Sequence, residues 1–406
     1  MVEKRGPLDG VKAVACTMFQ AGPVCFSHMA DLGAEVIKIE QPGTGELGRG
    51  LQKSPNFPLS PYFETNNRGQ KSLTLNLRTP EAKEILYKLV KDADIFGQNF
   101  RPGAAERNGF GYEDIKKINP RIVYLAISSY GVHGPNAMLP GTDGAAQAAG
   151  GIASAFAQPG QPLRTGQVSV ADETAGMTSF AAAMAGLYCV RMTGVGQKID
   201  ISLLGGQIRL MGFTMTRTVM LPPQPEAAGG QTRIVPGAVP NFNASFNDKD
   251  GKPFMFQVVG EEAWTKGMTA AGLMPKLKEI GAEKLGDVAI SREKQVLFLD
   301  TMNKLFASDS RDKWVKALRE ADIICAPINT LRDAAQDPDV LANNYVIEVE
   351  HPKYGKIHEV GYPWEFSETP AKVGVAPELG EHNMQILKGL GYTDAQIEEL
   401  KAKKAI

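Results

Sequence analysis

The strongest candidate for chemistry is a single carboxylate, Asp172, set ahead of an unusual run of small residues. It lies in GQVSVADETAGMTSFAAAMAGLYCVRMTGVGQKIDISLL, residues 166–204. Val168 and Val170 predict a short extended segment, with Asp172 where a long helix should start. Ala175, Gly176, Ala181, Ala182, Ala183, Ala185 and Gly186 then leave little side-chain bulk, so a neighbouring backbone or a partner subunit can come close. Two readings follow. As an N-cap, Asp172 would accept bonds from the amides of Thr174 or Ala175. As a nucleophile, it would be kept ionised by the positive end of the helix and aimed at a substrate. Glu173 beside it would raise its pKa if both faced one pocket, but neighbours at a helix start point apart, which favours a solvated or paired Glu173.

Other motifs exclude more than they offer. Gly43-Thr44-Gly45-Glu46-Leu47-Gly48 is formally GxGxxG, but Gly50, Pro55, Pro58 and Pro61 follow at once. No helix N-terminus can then hold a pyrophosphate, and the segment reads as a surface loop. The five histidines have no metal-ligand spacing with each other or with cysteine, so no metal site is expected. His133 reads as a loop histidine, His382 as packing at a helix start, and Trp264 and Trp314 as small-domain core. Cys16, Cys25, Cys189 and Cys325 are scattered in apolar segments, which suits reduced thiols in a cytoplasm. A net charge of -1 argues against nucleic acid or an acidic membrane as partner. No apolar run is long enough to span a bilayer, and no h-region follows the charged N-terminus.

The elements that would position Asp172 read as α/β. VKAVAC predicts a buried strand, QAGPVCFSHMADLG a helix closed by Gly33, and AEVIKIE a second strand; this βαβ unit forces a parallel, Rossmann-like sheet. KSLTLNL, ADIFGQNF and IVYLAISSYG add strands, and Thr79-Pro80-Glu81 opens a helix. Ligands of open α/β sheets bind outside the carboxyl ends of the strands, so Gln20, Glu40, Asn99, Phe100 and Ser128 to Tyr130 should converge on one rim. The chain of 406 residues is long enough for two domains. The expected large α/β domain, built from both chain ends, takes 1–220 and 340–406. A Pro/Gly linker over 221–240 leads to a small α+β domain, 241–325, and 326–339 returns. The small domain should hold a hairpin about Asp250-Gly251 and helices at Glu261–Ala271, Arg292–Ala307 and Ser310–Ala321. The tail predicts a helix over LRDAAQDPDVLANN, two strands, and a last helix opened by the Thr393/Gln396 capping box.

With these stretches in hand, the chain resembles the family III CoA-transferases, the CaiB/BaiF group, along nearly its whole length. The blocks that carry the likeness occur in the family's order. They are PLDGVKAVACTMFQAGPVCFSHMADLGAEVIKIEQPGTGE, NRGQKSLTLNLRTPEAKE, NFRPGAAERNGFGYEDIKKINPRIVYLAISSYGVHGP, PGTDGAAQAAGG, VADETAG, TGVGQKIDISLL and PELGEHNMQILKGLGYT.

The resemblance implies an enzyme that moves CoA from a donor acyl-CoA thioester to an acceptor carboxylic acid. CoA would be substrate, with no permanently bound cofactor, and the assembly an interlocked homodimer or a heterodimer with a paralogous subunit. Asp172 falls on the family's nucleophile, and Gln20-Ala21 on its Gln-Ala pair near the thioester. Leu75, Arg78, Asn99, Phe100 and Arg107 fall on positions lining the CoA site, with Tyr130 beside it. Glu40 and Gln41 lie where the adenosine end is held, and Leu203 matches an apolar contact near the nucleotide. Gln20 would donate its amide to the reaction's oxyanion; a capping or turn role before Gly22-Pro23 is the alternative. Met18, Phe19 and Phe26 would suit an apolar acyl pocket, though packing explains them equally. Formyl-CoA transferases often carry a glycine run in a small-domain loop that closes over the intermediate. Residues 257–262 here read Gln-Val-Val-Gly-Glu-Glu, which points to larger 2-hydroxyacyl, aryl or benzylsuccinate-type acids rather than formate or oxalate. Two other members of the superfamily remain as alternatives. An α-methylacyl-CoA racemase of this kind has a histidine where Thr142 stands, before Asp143; a non-catalytic CoA-binding subunit would not need Asp172.

Overall fold

A computed structural model describes residues 6–54, 57–157, 162–221, 241–288 and 292–406. The linker expected over 221–240 lies outside them apart from Leu221. The chain divides into two compact units: Met1–Ala157 with Pro162–Met220 and Leu341–Ile406, and Gln158–Gln161 with Leu221–Val340.

The first unit is built on a six-stranded sheet. Its strands are β1 (Lys12–Cys16), β2 (Glu35–Glu40), β3 (Lys71–Thr74), β4 (Ile95–Gln98), β5 (Val123–Ser128) and β6 (Gln197–Ser202). Their order is β3-β2-β1-β4-β5-β6, and every pairing is parallel. This is the Rossmann order, whose direction reverses between β1 and β4. The C-terminal segment joins this unit but adds no strand to the sheet.

Alternation along the strands gives the sheet two apolar faces. Val14, Ile39, Leu73, Phe96 and Tyr124 face one core, which also holds Ile386, Leu387, Ile397 and Leu400 from the chain's end. Ala13, Ala15, Ile95, Val123 and Leu125 face the other, with Phe26, Met29, Phe180 and Ala183. The second face is covered by α1 (Ala21–Asp31) and by a long helix read below. Phe26 is wholly buried there, so packing explains it and it does not line an acyl pocket.

Further helices of this unit are α2 (Pro61–Asn67), α3 (Pro80–Lys91), α4 (Asp143–Gly150), α5 (Val170–Thr193), α6 (Leu203–Leu210) and α7 (Gly212–Met220). The small residues of α5 allow close approach. A Cβ on Gly176 would stand 2.6 Å from Val24 Cγ1 and 3.0 Å from the Ala21 carbonyl, so α5 and α1 pack nearly backbone to backbone. The extended segment expected before Asp172 is absent: α5 already begins at Val170, and its N-cap is Ser169. The GxGxxG stretch is a loop ending in a single 3₁₀ turn, Leu47–Gly50.

The second unit holds β7 (Asn241–Asn247), β8 (Pro253–Val259) and β9 (Ile324–Pro327) in one antiparallel sheet. Strand β9 begins just before the stretch expected as a return linker and runs into it. The helices α8 (Glu261–Ala270), α9 (Arg292–Phe306) and α10 (Arg311–Glu320) lie between β8 and β9, and Trp264 is fully buried in their core with Trp314 at its edge. The helix expected over LRDAAQDPDVLANN is broken into Leu331–Ala334 and Pro338–Ala342, because Pro338 cannot continue a helix. In the first unit's C-terminal part, β10 (Val346–His351) and β11 (Gly355–Val360) form a hairpin, and α11 (Asn383–Gly389) and α12 (Asp394–Ala402) close the chain. The Thr393/Gln396 capping box is in place.

Candidate active site

A parallel sheet leaves a crevice where its strand order reverses, and here that point separates the ends of β1 and β4. The chain after β1 supplies Met18, Phe19 and Gln20, and the chain after β4 supplies Asn99 and Phe100. They line a cavity of about 550 Å³ together with Ala21, Tyr62, Arg101, Ser128, Thr142, Asp143, Asp172 and Leu203. A second cavity of about 270 Å³ is lined by Glu40, Gln41, Glu46, Leu75 and Arg78; Met18 and Phe100 line both. Of the residues anticipated from the sequence, Gln20, Ala21, Asn99, Phe100, Asp172 and Leu203 therefore stand on the first cavity. Glu40, Gln41, Leu75 and Arg78 stand on the second.

Two anticipated residues line neither cavity. Arg107 ends the short helix Ala104–Arg107 and is exposed. The edge of the Tyr130 ring lies against Gly141, which itself borders the first cavity. Glu40 has another occupation. Its carboxylate accepts from Arg49 Nη2 at 2.6 Å and Nε at 2.7 Å, and from Ser72 Oγ at 2.7 Å. Burial alone would raise its pKa, but the Arg49 hydrogen bonds and the Lys38 charge hold it below the ordinary carboxylate value.

Asp172 is the third residue of α5, not its cap. The cap function falls to Asp143, the first residue of α4. Its Oδ1 accepts from the amides of Ala171 at 2.7 Å and Asp172 at 3.1 Å, and its Oδ2 accepts from Gln147 Nε2 at 2.5 Å. The positive end of α5 is thus already neutralised by another carboxylate. This reverses the expected electrostatics of Asp172. Burial, then the Asp143 charge, then the Glu173 charge push its pKa from 3.8 up to about 7. A helix terminus offers only ~0.3–1 kcal/mol, against the ~4 kcal/mol that three pKa units represent, so desolvation and like charge win.

Glu173 is paired, with Gln20 Nε2 donating to its Oε1 at 2.6 Å. Burial raises its pKa, the Gln20 hydrogen bond opposes that, and Asp143 adds to the rise. Gln20 occupies the N-cap position of α1 but makes no side-chain capping bond; its amide crosses to α5 instead. Tyr62 is shifted upward by burial and then by Asp172, Glu46 and Glu173.

Asp143, Tyr62, Arg101 and Glu46 were not singled out as site residues from the sequence. The one local signal was Thr-Asp ahead of a small-residue helix at 142–143, since Asp143 serves a helix 28 residues further on. Among the described residues, no group of three or more His, Cys, Asp or Glu is placed to hold a metal ion, and no helix is long and apolar enough to cross a membrane.

Sheet order, crevice and carboxylate cluster together define a Rossmann-like α/β fold with an acid-lined cleft at its switch point. Comparison with known proteins sharpens that class. The family model described as CoA-transferase family III matches residues 8–383. A formyl-CoA:oxalate CoA-transferase of Rhodopseudomonas palustris (strain BisA53) is 32% identical, covering 98% of this chain and 97% of its own length. One of the same description from Shigella sonnei (strain Ss046) is 30% identical, over 98% and 99%. Among solved structures, a CAIB/BAIF family protein from Brucella suis is 28% identical, with a TM-score of 0.80 over 95% of this chain and 100% of that one. Rv3272 from Mycobacterium tuberculosis, at 24% identity and a TM-score of 0.79, shares the fold over 94% and 99%. The chain belongs to CoA-transferase family III and is an acyl-CoA:carboxylate CoA-transferase.

Proposed function

We propose that Asp172 carries the transfer as a covalent nucleophile. One observation carries the reading: the acid stands on the switch-point cavity beside Gln20 and Asn99 in a family III chain. Its ionised carboxylate attacks the donor thioester carbonyl, the C–S bond breaks, and CoA leaves as thiolate. The thiolate returns to the Asp172 carbonyl of the mixed anhydride and releases the donor acid as carboxylate. The aspartyl-CoA thioester is then attacked by the acceptor carboxylate, and the second anhydride gives up its acyl group to the thiolate. Asp172 returns as carboxylate, with no net proton taken up. The exchange is split into steps of comparable difficulty. Arg78 on the second cavity and Arg101 on the first suit the phosphates that CoA brings, which guanidinium pairs bidentately. The Gln20 amide has two donors. One goes to Glu173, and the other is assigned to the oxyanion, a contact whose loss costs about 10²–10³-fold.

The acids exchanged are larger than formate or oxalate in this proposal. Met18, Phe19, Leu139 and Leu203 give the cavity an apolar wall. The stretch that is glycine-rich in many formyl-CoA transferases is here the end of β8, a single glycine and the first turn of α8. The relatives named above act on formyl-CoA and oxalate by description, which is a weak counter-argument at 30–32% identity. The test is to incubate the protein with acyl-CoA donors, trap with hydroxylamine or borohydride, and locate the adduct by mass spectrometry. Modification at Asp172 with aryl- or 2-hydroxyacyl-CoA, faster than with formyl-CoA, is the expected result. No adduct at Asp172 would end the covalent reading, and a formyl-CoA preference would end the substrate reading.

The family's dimer belongs to the same proposal. Tyr188 and Met192 on α5, Phe213 and Met220 on α7 are large apolar side chains left exposed on one chain, which suits burial by a second. Light scattering on the purified protein should return twice the mass of one chain; a monomer at micromolar concentration would contradict this.

A further inference from the structure

The segment that carries Gln20 is held by side chains rather than by secondary structure. Between β1 and α1, Lys38 Nζ donates to the Thr17 carbonyl at 2.9 Å. Asn99 brackets Met18, its Oδ1 accepting from the Met18 amide at 2.9 Å and its Nδ2 donating to the Met18 carbonyl at 2.7 Å. Glu46 Oε2 accepts from the Phe19 amide at 2.8 Å. Phe19 has φ +62°, the left-handed region that an aromatic residue occupies only where its surroundings over-determine it. The residue immediately after this forced turn is Gln20.

Glu46 is itself held from several sides. Lys38, wholly buried on β2, stands 3.6 Å from Oε1; the Gly48 amide donates to Oε2 at 3.2 Å, and Asn67 Nδ2 to Oε1 at 3.4 Å. A buried ion pair is weak as a stabilising device, because desolvation offsets most of its attraction. Its geometric effect is definite: it fixes an acceptor against one peptide N–H.

We infer that Glu46, oriented by Lys38, is a positioning residue for the transfer reaction. It holds the Phe19 peptide in the left-handed turn and thereby aims the Gln20 amide at the site of Asp172. This rests on the proposed role of Gln20.

A double-mutant cycle tests it, measuring kcat, KM for acyl-CoA and Tm of the full-length protein. Gln20→Ala and Glu46→Ala should each lower kcat about 10²-fold with KM changed less than about threefold, and the double variant should be no slower than the slower single. Glu46→Gln keeps an oxygen for the Phe19 amide but leaves Lys38 without its counter-charge. It should melt lower than wild type yet keep kcat within about fivefold, a split that a merely structural role would not give. If Glu46→Ala does not fold, Glu46→Asp carries the same cycle, since it retains the charge but falls short of the Phe19 amide. Multiplying losses, a loss confined to KM, or Glu46→Gln as slow as Glu46→Ala would overturn the inference while leaving the nucleophile reading intact. Gln20→Ala at full kcat would overturn both the inference and the role proposed for Gln20. Full turnover by Asp172→Ala would instead end the nucleophile reading.

Discussion

Replacing Asp172 by alanine should lower kcat by at least about 10⁴-fold and, above pH 7, make the protein more stable. The kinetic half follows from the proposed covalent mechanism: with no nucleophile there is no anhydride, and the remaining contacts only bind. The stability half follows from the raised pKa. An unfolded aspartate titrates at 3.8 and this one at about 7, so between those values the folded protein holds a proton that the unfolded chain has lost. Stability from this group therefore falls as pH rises from about 4 to about 7, and above 7 the folded state carries a buried, repelled charge at its full cost. That cost is up to about 4 kcal/mol. Alanine removes it and is a good helix former at the same position. The variant should melt several degrees above wild type at pH 8 and by a smaller margin at pH 5, where only part of the cost has accrued. Equal melting at both pH values would mean that Asp172 is an ordinary solvated acid. A lower melting point at pH 8 would mean that its charge is paired.

How far this site was legible depends on the range of the interaction that makes each part. The βαβ pattern of residues 10–40 and the strand-end residues put Gln20, Asn99 and Ser128 on one rim, because period-2 and period-3.6 patterns are local and topology does the rest. The start of α5 was misplaced by two residues: Val168 and Val170 read as β-branched strand, while the capping carboxylate comes from Asp143, which no local pattern connects to it. The charge state of Asp172 escapes sequence pattern for the same reason, since the burial and neighbours that set it are tertiary. The burial of Lys38 is tertiary as well: β2 lies between β1 and β3, and the side chain is fully buried. Topology puts Gln20 on the rim, but only the family blocks give it a catalytic role. Its partner Glu173 is 153 residues away.

The pH dependence of the reaction should carry the signature of the acid cluster. In the free enzyme kcat/KM for the acyl-CoA donor should rise with pH through an apparent pKa of about 7, because on the proposed mechanism only ionised Asp172 attacks. At pH 6 the rate should be roughly tenfold below its plateau, where an aspartate near 3.8 would show no loss. The value depends on the charges of Asp143 and Glu173 that face Asp172, and that gives a way to move it. Asp143→Asn removes the charge that contributes most after burial, yet keeps an oxygen for the amides of Ala171 and Asp172. The acid limb should shift to lower pH while the plateau falls only a few-fold. Glu173→Gln should shift it less. A limb near pH 4 in wild type, or one that Asp143→Asn leaves in place, would show that neither desolvation nor Asp143 governs the nucleophile. The arrangement also has a chemical use. A carboxylate solvated by water or saturated by helix amides is a poor nucleophile. At Asp172 the amides of the helix terminus are given to Asp143, so on the proposed mechanism its carboxylate is not quenched by them and, with its pKa raised to about 7 by burial and like charge, is basic enough to form an anhydride at neutral pH.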